Sequence, residues 1–166
     1  MISNPDFPRQ RQAALAGLKN AVIDPPIVRL IENVNSLPHC FTLQCCYGHF
    51  VYPGQDDPHG IIPLPSKAIE DDIEYRIAYI AFCFENNHKG HKLLSDLKEL
   101  TALDPDNIQF SCAEWFWNQQ ANSYVIEVEP DRFKYQDTAI IGYEEALAIE
   151  KVRNRLFIIL EKMFSK

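Results

Sequence analysis

The segment from Tyr75 to Phe84 constrains the fold more than any other part of the chain. It reads Tyr-Arg-Ile-Ala-Tyr-Ile-Ala-Phe-Cys-Phe, so apolar side chains occupy both alternating sets of positions. A strand points successive side chains to opposite faces, and a strand that is apolar on both faces must be covered on both. The segment therefore predicts a central strand in a sheet that is packed on each side.

Hydrophobic spacing predicts the remaining elements. Apolar residues that recur every three or four positions predict helices over Arg9–Val22, Ile27–Val34, His91–Leu103 and Tyr143–Phe164. Asp24-Pro25-Pro26 is typical of an N-cap followed by proline in the first helical turn. Further strands are predicted at Phe41–Cys46, His49–Tyr52, Ile108–Trp117 and Ser123–Glu129.

The connections between strands decide the fold class. Tyr47-Gly48 predicts a tight hairpin turn, and a proline-rich loop follows from Pro53 to Pro65. Consecutive hairpins favour an antiparallel sheet, so the element order is α-α-β-β-β-α-β-β-α. We therefore predict an α+β fold, a mostly antiparallel sheet flanked by helices.

Length and composition fit one globular domain over residues 1–166. The chain is 46% hydrophobic and 11% aromatic, which is enough to build a full core. No apolar run approaches the roughly 18 residues of a membrane-spanning helix, and the first residues do not resemble a signal peptide. These features predict a cytoplasmic protein without a membrane partner.

The charge balance argues against binding to generic nucleic acid. The formal net charge is −7, and the basic residues close in sequence form only two small groups, Arg9 with Arg11 and Lys151 with Arg153 and Arg155. Proteins that hold phosphates usually carry a basic patch.

The cysteines predict free thiols. There are five, an odd number, and none of their spacings resembles a zinc ribbon. Cys83 and Cys112 lie in apolar runs and are predicted to be small core residues. Thiolates and imidazoles such as His88 and His91 would suit Zn²⁺, but no four-ligand set has a recognised spacing, so we predict no bound metal.

The densest group of reactive side chains runs from His39 to His49. Strand alternation places Cys40, Thr42, Gln44 and Cys46 on one face, which we expect to be the more accessible one. Gly48 can adopt positive φ, so backbone N–H groups can surround a small concavity beside Cys46 and His49. The alternative is a glycine hairpin with buried thiols.

Two further residues are chemical candidates. Glu114 stands beside Trp115, Phe116 and Trp117, a setting that can raise the pKa of a carboxyl group and suit it to general acid or base chemistry. The alternative is a hydrophobic core with one carboxylate at its edge. Arg76 lies in the most apolar strand and is predicted to be buried with an acidic partner, Glu114, Glu127 or Glu129, or to form an anion site.

The segment from Thr42 to His49 resembles a motif of the tRNA wybutosine-synthesising protein 3 family, Thr-Thr-Ser-Ser-Cys-Ser-Gly-Arg. Thr42, Cys46 and Gly48 match, whereas Leu43, Gln44, Cys45, Tyr47 and His49 differ. The family is associated with methylation of a modified tRNA guanosine by S-adenosylmethionine. The resemblance implies a similar fold, and it implies this cofactor only if the activity is shared; the residues themselves indicate no cofactor.

Two functional hypotheses follow, and neither decides whether the protein is an enzyme. The first is a pocket for a small molecule or nucleoside-type ligand, with Thr42, Gln44, Cys46, Gly48, His49 and Arg76 as binding residues. Its catalytic candidates are Cys46, His49 and Glu114. The second is a non-enzymatic interaction module that forms a homodimer through its aromatic strands and C-terminal helix. Phosphate-binding, nucleophile-elbow and HExxH signatures are absent from the sequence.

Overall fold

The computed structural model of the chain describes residues 1–57, 60–70, 72–113, 120–134 and 136–165. Within these ranges the helices are α1 (Phe7–Leu18), α2 (Val28–Ser36), α3 (His88–Glu99) and α4 (Tyr143–Phe164). The strands are β1 (Cys40–Cys46), β2 (His49–Val51), β3 (Ile73–Arg76), β4 (Ala78–Phe84), β5 (Ile108–Cys112), β6 (Ser123–Val128) and β7 (Thr138–Ile141). The α+β class predicted from the sequence is confirmed.

The strands form two antiparallel sheets. One has the order β1-β4-β6-β5 and the other the order β2-β3-β7. Helices cover the sheets, and none of the described helices combines the length and apolarity needed to cross a membrane.

The first two strands do not form the predicted hairpin. β1 pairs with β4 and β2 pairs with β3, so Tyr47 and Gly48 connect strands of different sheets. The pairing keeps one register across this connection, because Cys46 faces Tyr79 before it and His49 faces Arg76 after it. The β1–β2 segment and the β3–β4 segment thus form one antiparallel ribbon that bends sharply.

Gly48 makes the bend possible. Its φ is +88°, a conformation that residues with a Cβ rarely adopt. A Cβ at this position would lie 2.7 Å from the Cβ of Ala78, so the two segments approach too closely for any side chain.

The central strand is shorter than predicted. The run from Tyr75 to Phe84 is interrupted at Ile77, whose N–H donates to the carbonyl of Asp137 at 3.1 Å. β7 is not among the strands predicted from the sequence. It is only four residues long, too short for its alternating exposure to stand out in the sequence.

β4 is covered on both faces, as predicted. Its residues Ile80, Phe82 and Phe84 belong to the main core with α2 and α4. On the other face Cys83 packs with Phe41 and with Phe7 of α1. Because side chains alternate along β4, this strand contributes residues to two separate apolar clusters, one on each face of the sheet.

The five cysteines form no disulfide, as predicted, but not all of them are core residues. Cys40 and Cys83 are buried, whereas Cys112 is exposed. Cys112 ends β5, the edge strand of its sheet, and this position explains why its prediction as a core residue was wrong.

Candidate functional site

The candidate site lies where the ribbon bends, at residues 46–49, which we call the β1–β2 junction. In a continuous strand Cys46 and His49, three positions apart, would point to opposite faces. The turn of the backbone at Gly48 removes this alternation and brings both side chains to one side. The N–H of Gly48 donates to Cys46 Sγ at 3.3 Å.

Asp24 completes the junction from outside the strands. Its Oδ2 accepts a hydrogen bond from the N–H of Tyr47 at 2.7 Å and lies 3.5 Å from His49 Nε2. Asp24 occupies the predicted N-cap position, but its side chain makes no capping hydrogen bond. The carboxylate instead fixes the start of the 3₁₀ turn Pro25–Ile27 against the β1–β2 junction.

The thiols of Cys46 in the junction and of Cys45 beside it are protonated at neutral pH. Burial raises the pKa of Cys46 to about 11, and the Asp24 carboxylate adds to the effect. The N–H of Gly48 and the guanidinium of Arg76 act in the opposite direction but do not outweigh burial. Burial likewise raises the pKa of Cys45 to about 11. Since the thiolate is the nucleophilic form of cysteine, Cys46 is not an activated nucleophile in this state.

Arg76 stands beside the site but is not buried, contrary to the prediction. Its side chain is 34% exposed, and its Nε lies 3.0 Å from Glu74 Oε1. Strand pairing places Arg76 directly opposite His49. Because the guanidinium is partly exposed and paired with Glu74, it does not need the buried acidic partner that the sequence suggested.

Thr42 and Gln44 are not part of the junction. A register shift between them interrupts the alternation of β1, so the predicted accessible face is wrong for Cys40 and Thr42, which are buried. Asn35 of α2 donates to Thr42 Oγ1 at 2.7 Å and accepts from the Thr42 N–H at 3.0 Å. Thr42 therefore serves to fasten α2 to β1, and Gln44 points to solvent.

Glu114 and the aromatic residues beside it lie outside the described residues, as does His59. The proline-rich loop is described over residues 53–57 and 60–65. The carbonyl of Gly60 lies 3.3 Å from His49 Nδ1. The hydroxyl of Tyr143 donates to the carbonyl of Pro65, which ties the end of the loop to α4.

A cavity of about 290 Å³ opens next to the junction. It lies between the start of α2, the ring of Tyr47 and one face of α4, and Ile27, Leu30, Asn154, Phe157 and Ile158 line it with Tyr47. The rings of Tyr47 and Phe157 are 5.0 Å apart, and the Tyr47 hydroxyl donates to Asn154 Oδ1 at 2.8 Å.

Arg153 supports the junction from α4 and was missed as a site residue. It is 5% exposed, donates to the carbonyl of Gly48 at 3.0 Å, and stacks over Tyr47 at 4.4 Å. The available signal was its position between Ile149 and Leu156 on the apolar stripe of α4, where a charged residue needs a partner. Asp24 was missed because its N-cap interpretation already accounted for it.

Comparisons with known proteins assign no family to the chain. No protein-family model matches it, and no curated protein matches it. It is similar to the solved structure of PH1069 from Pyrococcus horikoshii, at 13% identity and a TM-score of 0.49 over 96% of each chain. A hypothetical protein from Aeropyrum pernix aligns at 13% identity and a TM-score of 0.40, over 85% of this chain and 95% of that one. At such low values we draw no conclusion from these proteins.

Proposed function

We propose that the protein binds a flat small molecule of nucleoside type in the cavity beside Tyr47. The cavity itself is the observation that carries the proposal. Its volume of about 290 Å³ is close to the lower end of ligand pockets, which begin at roughly 300 Å³. Its walls are aromatic and aliphatic with a few polar groups, the composition that ligand pockets commonly have.

The polar groups of the cavity suit the edge of a nucleobase. Asn154 Oδ1 accepts from Tyr47 and Arg153. Its amide nitrogen has no acceptor among the residues that the structure describes, so it is free to donate to a carbonyl of the ligand. Glu161 also lines the cavity and can accept from an amino group. A donor and an acceptor near an aromatic wall match the mixed edge of a base.

Ile158 supplies the test of this proposal. It lines the cavity and is 54% exposed, so a larger side chain there should block the cavity without disturbing the core. Ile140 on β7 is exposed to the same degree, 56%, and does not line the cavity. Ile158→Trp and Ile140→Trp are therefore a matched pair.

The experiment is isothermal titration calorimetry with the four ribonucleosides and S-adenosylmethionine. The resemblance to the wybutosine family makes S-adenosylmethionine the first ligand to test. We expect at least one compound to bind, and Ile158→Trp to weaken it about tenfold or more while Ile140→Trp binds as the wild type does. Absence of binding to all five compounds, or equal losses in both variants, would contradict the proposal.

The homodimer alternative is favoured by the same exposed side chain. Ile158 is a large apolar side chain, 54% exposed, on α4, the helix that the sequence suggested as an interface. Light scattering should then give twice the chain mass, and Ile158→Glu should return the protein to a monomer. A wild-type monomer at high concentration would exclude this alternative.

A further inference from the structure

Three metal-ligating side chains converge at the β1–β2 junction. One ligand atom each of Asp24, Cys46 and His49 lies within 4.8 Å of the other two. No other three histidine, cysteine or acidic side chains meet this closely in the part of the chain that the structure describes. The three come from two distant segments, so only the fold assembles them.

The hydrogen bonds of His49 leave a gap that a cation would fill. Nδ1 faces the carbonyl of Gly60, and a carbonyl only accepts, so the neutral imidazole carries its proton on Nδ1. Nε2 then presents a lone pair to the Asp24 carboxylate at 3.5 Å. In this tautomer two acceptors face each other, and either a second proton on the ring or a metal ion between the two atoms satisfies both. Metal-bound histidines commonly have this arrangement, with the second ring nitrogen donating to a carbonyl.

The distances suit a tetrahedral ion. Zinc bonds of about 2.0–2.1 Å to nitrogen and oxygen place these atoms about 3.3 Å apart at a tetrahedral angle. The observed separation of His49 Nε2 and Asp24 Oδ2 is 3.5 Å. Cys46 Sγ lies within 4.8 Å of the other two ligand atoms. Each of these distances needs to shorten by at most about 1.3 Å to reach the separation of about 3.5 Å between sulfur and nitrogen or oxygen on one tetrahedral zinc ion.

The surroundings hold the ligands in place. The N–H of Tyr47 fixes Asp24 Oδ2, and the N–H of Gly48 points at Cys46 Sγ. The side chains of His49 and Asp24 are 12% and 23% exposed, so the site is sheltered but can be reached from solvent. One carboxylate and one thiolate would balance the charge of a divalent ion.

We propose that Asp24, Cys46 and His49 bind Zn²⁺ with three protein ligands and one open position. On binding, the Cys46 thiol gives its proton to the buffer and the sulfur forms the metal bond, without any redox change. The sequence predicts no metal because no four ligands have a recognised spacing. This site has only three protein ligands, and Asp24 lies far from the other two in sequence, so no such spacing reveals it. The proposal does not depend on the nucleoside cavity.

The test is titration of the chelator-treated protein with Zn²⁺ against a chromogenic chelator, with Co²⁺ as a spectroscopic probe. We expect one equivalent to bind, and the cobalt form to show a thiolate-to-metal charge-transfer band. Cys46→Ser, His49→Gln and Asp24→Asn should each lower the zinc affinity, by about 100-fold for Cys46→Ser and His49→Gln. Cys45→Ser, the adjacent half-buried thiol, is the matched control and should bind as the wild type does.

Two results would overturn the proposal. One is a wild-type titration in which zinc does not bind stoichiometrically or the cobalt form shows no charge-transfer band. The other is Cys46→Ser protein that still binds zinc with unchanged affinity. The cobalt spectrum of the wild type needs no substitution, so the test stands even if a variant fails to fold.

Discussion

At the scale of single residues, Gly48 has two separate reasons to be glycine. Its φ of +88° strains any residue with a Cβ, and the added atom would lie 2.7 Å from Ala78. Gly54 has a similar φ of +81° but open space around it. We expect Gly48→Ala to lower the free energy of unfolding by at least about 2 kcal/mol, and Gly54→Ala by only about 1 kcal/mol. Urea denaturation of both variants measures the difference, and equal losses would mean that the contact with Ala78 relaxes at little cost.

Glu127 should make stability depend on pH. Burial raises its pKa to about 7, and the nearby carboxylates of Glu129 and Asp137 add to the effect. The folded chain therefore holds a proton that the unfolded chain has released between about pH 4.5 and pH 7, so this contribution to stability falls as pH rises through that window. The total loss is on the order of 3 kcal/mol.

Glu127→Gln isolates this effect because glutamine does not ionise. We expect the variant to be as stable as the wild type near pH 4.5, and more stable above pH 7 by roughly the 3 kcal/mol that ionisation costs. Chemical denaturation at several pH values gives the comparison. A stability difference that stays constant with pH would show that Glu127 ionises freely in the folded protein.

At the scale of elements, one buried amide attaches α2 to the first sheet. Asn35 is 7% exposed, and its side chain exchanges hydrogen bonds with both the backbone and the hydroxyl of Thr42. Asn35→Ala would leave these groups of Thr42 buried without partners. We expect a loss of about 2–3 kcal/mol in the free energy of unfolding.

The matched control for this amide is on the same helix. The side chain of Asn33 makes no hydrogen bond with the residues that the structure describes, so Asn33→Ala should change stability by less than about 0.5 kcal/mol. Thermal or urea denaturation of both variants tests the prediction. Similar losses in both variants would contradict the prediction, because alanine favours a helix more than asparagine does and only Asn35 bonds to Thr42.

The elements show what local sequence can and cannot predict. α4 begins and ends at the predicted residues, Tyr143 and Phe164, because a long apolar stripe is a strong local signal. The prediction that Gly48 adopts a positive φ is confirmed, whereas the prediction of a hairpin turn at Tyr47-Gly48 is wrong. A hairpin turn and a connection between strands of different sheets can both use a glycine at positive φ. Only the pairing of β1 with β4 and of β2 with β3 distinguishes them.

The candidate site, like the fold, could be predicted only in part from the sequence. Cys46 and His49 are close in sequence, so a reactive cluster could be recognised without knowing the fold. Asp24 lies 23 residues before Tyr47, and Arg153 lies 105 residues after Gly48. Contacts at such separations depend on how the ribbon bends and on where α4 packs, and the local sequence pattern predicts neither.

At the scale of the whole molecule, the bend in the ribbon links the two sheets to the site. The strands keep one register through it, so the second sheet is a continuation of the first in a new direction. This change of direction opens the corner where Asp24, Tyr47 and Arg153 meet. The cavity and the proposed zinc ligands lie at that corner because it is where the regular strand pairing is interrupted.

Charge over the whole molecule gives the last prediction, which concerns nucleic acid. The net charge is −7, and several cations are already paired with acidic side chains, including Arg9 with Asp6, Lys92 with Asp96 and Arg132 with Glu145. Binding to phosphates gains its affinity from unpaired basic groups that release counterions, and paired cations contribute little. We expect dissociation constants weaker than about 100 µM for duplex DNA and unmodified tRNA at physiological salt. Fluorescence anisotropy at two salt concentrations provides the measurement, and micromolar affinity with a steep salt dependence would reveal a basic surface that the net charge conceals.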